Sequence, residues 1–223
     1  MNEKHIILAA PARTGNTFLG VCVREAIRLN NSNKQVYIAQ NLRAPSLLAL
    51  DQTEDIKIYT NLRDPLSNIV SSTARKMFFA HGPDYKFDLE ATRFDQHVDA
   101  AIYEYKEYLY IQNKYMKSTI ILFDNLVSYT HSVINNILND IGLEYSNKIN
   151  IDSVKNSIDS NRQIVNGNGD FVESFSNLPF GIDKKPYYNS LVEKINSTAE
   201  FYSLEKLYSE TINKAKDVGC NIY

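Results

Sequence analysis

With 223 residues, 43% of them hydrophobic, and a net charge of −2, the chain can build one sizeable core and lacks the basic surface of a nucleic-acid binder. Its two cysteines, Cys22 and Cys220, exclude a disulfide framework and fit a reducing compartment. No stretch approaches the ~20 apolar residues of a membrane span, and the opening Met-Asn-Glu-Lys-His-Ile-Ile-Leu-Ala-Ala is too short an apolar run for a signal peptide, so a cytoplasmic location is expected.

Residues 5–10 (His-Ile-Ile-Leu-Ala-Ala) read as a buried strand. Residues 17–29 place Phe18, Val21, Cys22, Ala26 and Leu29 at helical spacing, with Thr14 or Asn16 as the cap and Cys22 as core. The cluster Asn30-Asn-Ser-Asn33 ends that helix. Residues 35–39 and 56–62 read as the second and third strands, and Pro65 opens a helix, since proline suits a first turn. Residues 93–116 form a long helix with Phe94, Val98, Ala101, Tyr105 and Tyr108 on one stripe. Residues 119–123 form a fourth strand, and 130–141 a helix that Gly142 closes. The polar, glycine-bearing stretch 160–185 reads as an ordered loop or lid, and the last forty residues return to helix.

Strands alternating with helices give βαβ units, hence an α/β fold with a mainly parallel central sheet, read as a single domain over 1–223. Ligands bind such sheets at the carboxyl ends of the strands. Two polar turns leave the sheet there: Pro11-Ala-Arg-Thr-Gly-Asn-Thr-Phe-Leu19 and Arg63-Asp-Pro-Leu-Ser-Asn-Ile-Val-Ser71. Each offers helix-terminal N–H groups and a positive helix end to an anion. Two such turns suit a ligand with phosphates at both ends. The first is not a Walker A loop, because Ala10 and Asn16 stand where that motif has glycine and lysine.

The chain resembles the sulfotransferases that use 3′-phosphoadenylyl sulfate (PAPS). Arg13-Thr-Gly-Asn-Thr-Phe-Leu19 resembles the Lys/Arg-Ser-Gly-Thr-Thr-Trp-Leu loop of that family, which cradles the 5′-phosphosulfate; the Arg form resembles the tyrosylprotein branch. Arg63-Asp-Pro with Ser71 resembles the element that holds the 3′-phosphate, and Leu122-Phe-Asp-Asn-Leu126 with Ile141-Gly-Leu143 resembles a later segment. The resemblance spans roughly residues 5–145 and implies a P-loop-type three-layer fold in its sulfotransferase variant. It implies transfer of a sulfuryl group from PAPS to a hydroxyl or amine, leaving adenosine 3′,5′-bisphosphate. The implied nucleotide set is Arg13, Thr14, Gly15, Asn16, Thr17, Phe18, Arg63 and Ser71, with Arg13 stabilising the leaving charge.

The base is not assigned by resemblance. Asn41 falls where the cytosolic branch has histidine, and Asp51 and Glu54 lie further on. His81, read in a loop before Gly82-Pro83, is the base favoured, because imidazole titrates near neutrality. The family's late Arg-Lys-Gly lid is absent, and Arg162 or the Asn166–Gly169 loop stands in its place. His5 and His97 read as structural or surface residues. No Cys/His cluster has metal-ligand spacing, so no metal is expected. The acceptor is a small molecule, a glycan or a peptide. Two other classes stay open: a small-molecule kinase with a degenerate phosphate loop, and a non-catalytic nucleotide-binding scaffold. The segments 41–52, 77–96 and 165–185 would form the acceptor pocket and match no known pattern.

Overall fold

The computed structural model describes residues 5–11, 13–40, 56–81, 94–145, 149–154, 163–165, 171–174 and 185–223, with side chains over 5–11, 13–40, 56–76, 95–145, 149–154 and 189–223. In chain order the elements are β1 (His5–Ala10), α1 (Asn16–Leu29), β2 (Gln35–Gln40), β3 (Ile56–Leu62), α2 (Pro65–His81), α3 (Phe94–Lys114) and β4 (Thr119–Leu122). They continue with α4 (Phe123–Ser128), α5 (Thr130–Asp140), β5 (Gln163–Val165), β6 (Phe171–Ser174), α6 (Lys185–Asn196) and α7 (Ala199–Asp217).

β1 to β4 form a parallel sheet in the order β2-β1-β3-β4. β1 bonds neighbours on both edges, and its near-continuous apolar run is what burial on both faces requires. Alternation then sorts the side chains. Ile6 and Leu8 of β1, Tyr59 of β3 and Ile121 of β4 pack with α1 and α5. Ile7, Ala9, Ile58 and Ile120 pack with α2, α3 and α7 on the other face. The result is three layers, helix–sheet–helix, with a core on each side of the sheet. Gly20 lets α1 approach β2: a Cβ there would stand 2.2 Å from Ile38 Cδ1.

The order fixes where a ligand crevice forms. The chain runs from β1 outward to β2 and then crosses back to β3 on the opposite side of β1. The crevice outside the carboxyl ends of β1 and β3 is therefore the topological switch point. Both polar turns open into it.

Helix ends follow the chemistry of their residues. Gly142 takes φ 71 after α5, and Leu143 N–H reaches Leu138 C=O while Gly142 N–H reaches Asn139 C=O, a Schellman closure. Asn31 does the same after α1 at φ 50, as the Asn-rich cluster predicts.

Three local readings change. Phe123 leaves β4 and opens α4, with Asp124 favouring the first turn. His81 is the last residue of α2, not part of a loop, because nothing before Gly82-Pro83 breaks the helix. The stretch read as a loop holds the antiparallel pair β5 and β6.

The outer edge of β4 is covered. Ile120 N–H donates to Asn221 C=O, Tyr223 N–H to Ile120 C=O and Leu122 N–H to Tyr223 C=O, each at 2.9 Å. The hydroxyls of Tyr223 and Tyr59 donate to one oxygen of Asp140, at 2.7 and 3.2 Å. Burial, with the Asp140 carboxylate, pushes both phenols up, so both remain donors.

Candidate functional site

The first turn, residues 10–16, joins β1 to α1 and bends twice through left-handed backbone, at Arg13 (φ 65) and at Gly15 (φ 76). Arginine pays a steric penalty there that glycine does not, and such positions concentrate at functional sites. Gly15 is the N-cap of α1, and among the described residues no side-chain cap hydrogen bond closes that helix end. No acidic residue lies in the first turn either. The positive end of α1 thus carries neither a side-chain cap on Gly15 nor a carboxylate in its first turn. A Cβ on Gly15 would stand 3.1 Å from the Phe123 ring and 3.2 Å from Leu126, so the turn is also closely packed from behind.

Thr14 and Asn16 build the turn from inside. The Thr14 hydroxyl donates to Pro11 C=O at 3.0 Å and the residue is 1% exposed. Asn16 is buried, and its Nδ2 donates to Leu8 C=O at 2.8 Å and Ala39 C=O at 3.2 Å, tying α1 to two strands at once. Its Oδ1 has no hydrogen-bond partner. Neither side chain is the cap the sequence suggests, and neither turns a donor to the crevice. Thr17 is half-buried on the first helical turn. Phe18 packs against the core between the sheet and α1.

The second turn is built differently. Asp64 accepts the Ser67 N–H on Oδ1, and its carbonyl accepts the Asn68 N–H, both at 2.9 Å. The carboxylate caps α2 and occupies the helix end that the sequence offers to an anion. What this turn contributes is side chain. The Arg63 guanidinium lies 4.3 Å over the Phe123 ring, a cation–π contact, and Nη1 donates to Arg13 C=O at 3.3 Å.

The two turns meet. Arg13 Nε donates to Ser71 Oγ at 3.1 Å across 58 positions of sequence, and Ser71 is 4% exposed. The two turns, expected at opposite ends of a ligand, are in direct contact, through Arg13 with Ser71 and through Arg63 with the Arg13 carbonyl. Asn61 at the end of β3 adds a buried bond from Nδ2 to Thr14 C=O at 3.4 Å.

α3 holds the strand ends from behind. Tyr105 donates to Arg63 C=O at 2.6 Å and accepts the Arg63 N–H at 3.3 Å. Burial pushes this phenol well above its usual range, so it stays a donor. Tyr108 donates to Ala9 C=O at 2.8 Å. The sequence places these tyrosines on a packing stripe, where they are, but their hydroxyl partners are invisible to a periodicity argument. Phe123 is likewise read only as the end of a strand.

Of the other candidates, Asn41, Asp51, Glu54, Arg162 and Asn166–Gly169 lie outside the described residues, as does the His81 side chain. Cys22 is fully buried. Among the described residues no group of three or more His, Cys, Asp or Glu is placed to hold a metal ion, and no helix is long and apolar enough to cross a membrane.

No family model and no curated protein matches the chain. Among solved structures, that of the mouse sulfotransferase SULT7A1 complexed with PAP is similar over 92% of this chain and 89% of its own, at 10% identity and a TM-score of 0.49.

Proposed function

We propose that the chain is a sulfotransferase that takes a sulfuryl group from PAPS and passes it to a hydroxyl or amine acceptor. The observation that carries this reading is the uncapped α1 terminus with Arg13 and Ser71 bonded beside it. That is an anion site of two parts, and the residues that form it are those of the motif resemblance. The fit to a nucleotide with 3′- and 5′-phosphates rests on the same features. The backbone of residues 14–17 and the α1 terminus would hold the 5′-phosphate, with Gly15 leaving room for it. Arg63 and Ser71 would hold the 3′-phosphate. PAPS supplies the activated S–O bond. As the acceptor oxygen or nitrogen attacks sulfur in line, that bond breaks toward the 5′-phosphate, and Arg13 neutralises the charge that builds there. The acceptor proton leaves to a base.

His81 is the base proposed. At 1.5 Å rise per residue its Cα stands about 15 Å along α2 from that of Ser71, which weighs against it. A His81→Ala variant with turnover at least about tenfold down and unchanged bisphosphate affinity keeps the assignment; unchanged turnover removes it.

Calorimetry tests the nucleotide reading. Adenosine 3′,5′-bisphosphate should bind more tightly than AMP, which lacks the 3′-phosphate. Equal affinity would mean that Arg63 and Ser71 hold no phosphate. Turnover with PAPS over a panel of phenols, sugars, peptides and amines then separates an enzyme from a scaffold that only binds.

A further inference from the structure

Tyr105 and Tyr108 lie three residues apart on α3, so they share one face. Both are almost wholly buried, at 1% and 2% exposure. A buried phenol needs a partner for its hydroxyl, and packing alone would be served by phenylalanine. Each hydroxyl finds a backbone group at the carboxyl end of a different strand. Tyr108 bonds Ala9 C=O, at the end of β1, immediately before the first turn. Tyr105 bonds both the N–H and the C=O of Arg63, immediately after β3. Ala9 is the last β1 residue paired with β3, and Arg63 follows the last paired residue of β3, so the hydroxyls meet the backbone where that part of the ladder ends.

α3 itself is pinned. Tyr108 lies 3.3 Å from Thr60 Oγ1 of β3. Gln112 donates to Ser118 at 2.8 Å, and Thr60 donates to Gln112 at 3.1 Å. Thr60 and Ser118 are 3.0 Å apart, and with the Thr60 proton spent on Gln112, Ser118 is the donor. The three side chains close a buried ring of hydrogen bonds that fixes the height of α3 against β3.

We infer that Tyr105 and Tyr108 are positioning residues that set the spacing between the two turns, and so between the 5′- and 3′-phosphate contacts. Neither touches a ligand; Tyr105 acts through Arg63 and Tyr108 through the first turn. This inference rests on the nucleotide reading above.

The two hydroxyls therefore have different signatures. Tyr105→Phe should weaken the bisphosphate about fivefold and AMP by less, shrinking the ratio between them, because it loosens the 3′-phosphate arginine first and reaches the first turn only through the 3.3 Å bond from Arg63 to Arg13 C=O. Tyr108→Phe should weaken both ligands by a similar factor and leave the ratio intact. In an Arg63→Ala background Tyr105→Phe should cost no further affinity, the mark of action through Arg63. Calorimetry on the full chain, with thermal melts of each variant, measures all of this. Identical patterns for the two variants would overturn the inference, as would an undiminished Tyr105→Phe effect without Arg63. Should Tyr105→Phe not fold, a Tyr108→Phe variant that lowers only the bisphosphate would also overturn it. A wild-type chain that binds both nucleotides equally would instead overturn the nucleotide reading, and the inference with it.

Discussion

The two strand-to-helix turns look alike in sequence and differ in what they leave open. The first has Gly15 at its helix end, with the neighbouring side chains turned inward. The second has Asp64 there, and that carboxylate fills the helix end itself. One turn presents backbone, dipole and the Arg13 guanidinium; the other presents a guanidinium on an aromatic ring. A helix N-terminus after a strand is therefore not by itself an anion site: the residue at the N-cap decides whether a side chain of the protein already holds that end.

The largest expected effect sits on the first turn. Arg13→Ala should lower turnover by about 2.7–4 kcal/mol, roughly a hundredfold to a thousandfold, with a smaller change in bisphosphate affinity. Arg63→Ala should do the reverse, because a 3′-phosphate contact would be equal in ground and transition states. Steady-state kinetics beside calorimetry reads both; matching losses in the two variants would erase the division of labour.

Next is Asn16→Ala, which strands two strand carbonyls under the turn. It should destabilise the fold by about 1–3 kcal/mol in urea denaturation. Gly15→Ala follows, at about 1–2 kcal/mol for the left-handed backbone alone. It should also displace Phe123, and so weaken both nucleotides. Normal stability and binding in Gly15→Ala would mean the turn can relax.

The smallest is Asp64→Ala, a lost cap worth about 1 kcal/mol in a thermal melt. Asp64→Asn should keep the cap and most of that stability. If either variant changed AMP affinity as strongly as Arg13→Ala changes turnover, the helix end of α2 would have to be counted as part of the phosphate site.

The parallel sheet and most helix boundaries are legible because strand and helix periodicities alternate along the chain. The strand at 56–62 and the Gly142 closure are examples: apolar runs and glycine both act locally. The strand order β2-β1-β3-β4 is not legible, since periodicity says nothing of which strands are neighbours. The meeting of Arg13 with Ser71 was foreseen only as a pair of separate sites, since sequence carries no distance between turns 58 positions apart. The inward roles of Thr14 and Asn16 were missed because a hydroxyl or amide is equally suited to a phosphate and to a strand carbonyl. Only the backbone path distinguishes them. Phe123 was unreadable for a related reason: a ring at a strand end looks like core until an arginine and a glycine are found on it.

The cover over β4 bears on how the chain assembles. Its hydrogen bonds come from Asn221 and Tyr223, roughly a hundred residues further on. Closing a loop of that length is slow compared with forming the local helices, so pairing of the outer side of β4 should come late in folding. A bare strand side is a template for another chain. Refolding yield should therefore fall with protein concentration more steeply when 221–223 are removed. The Asp140 carboxylate receives Tyr223 and Tyr59 together, and so ties this terminal cover to β3.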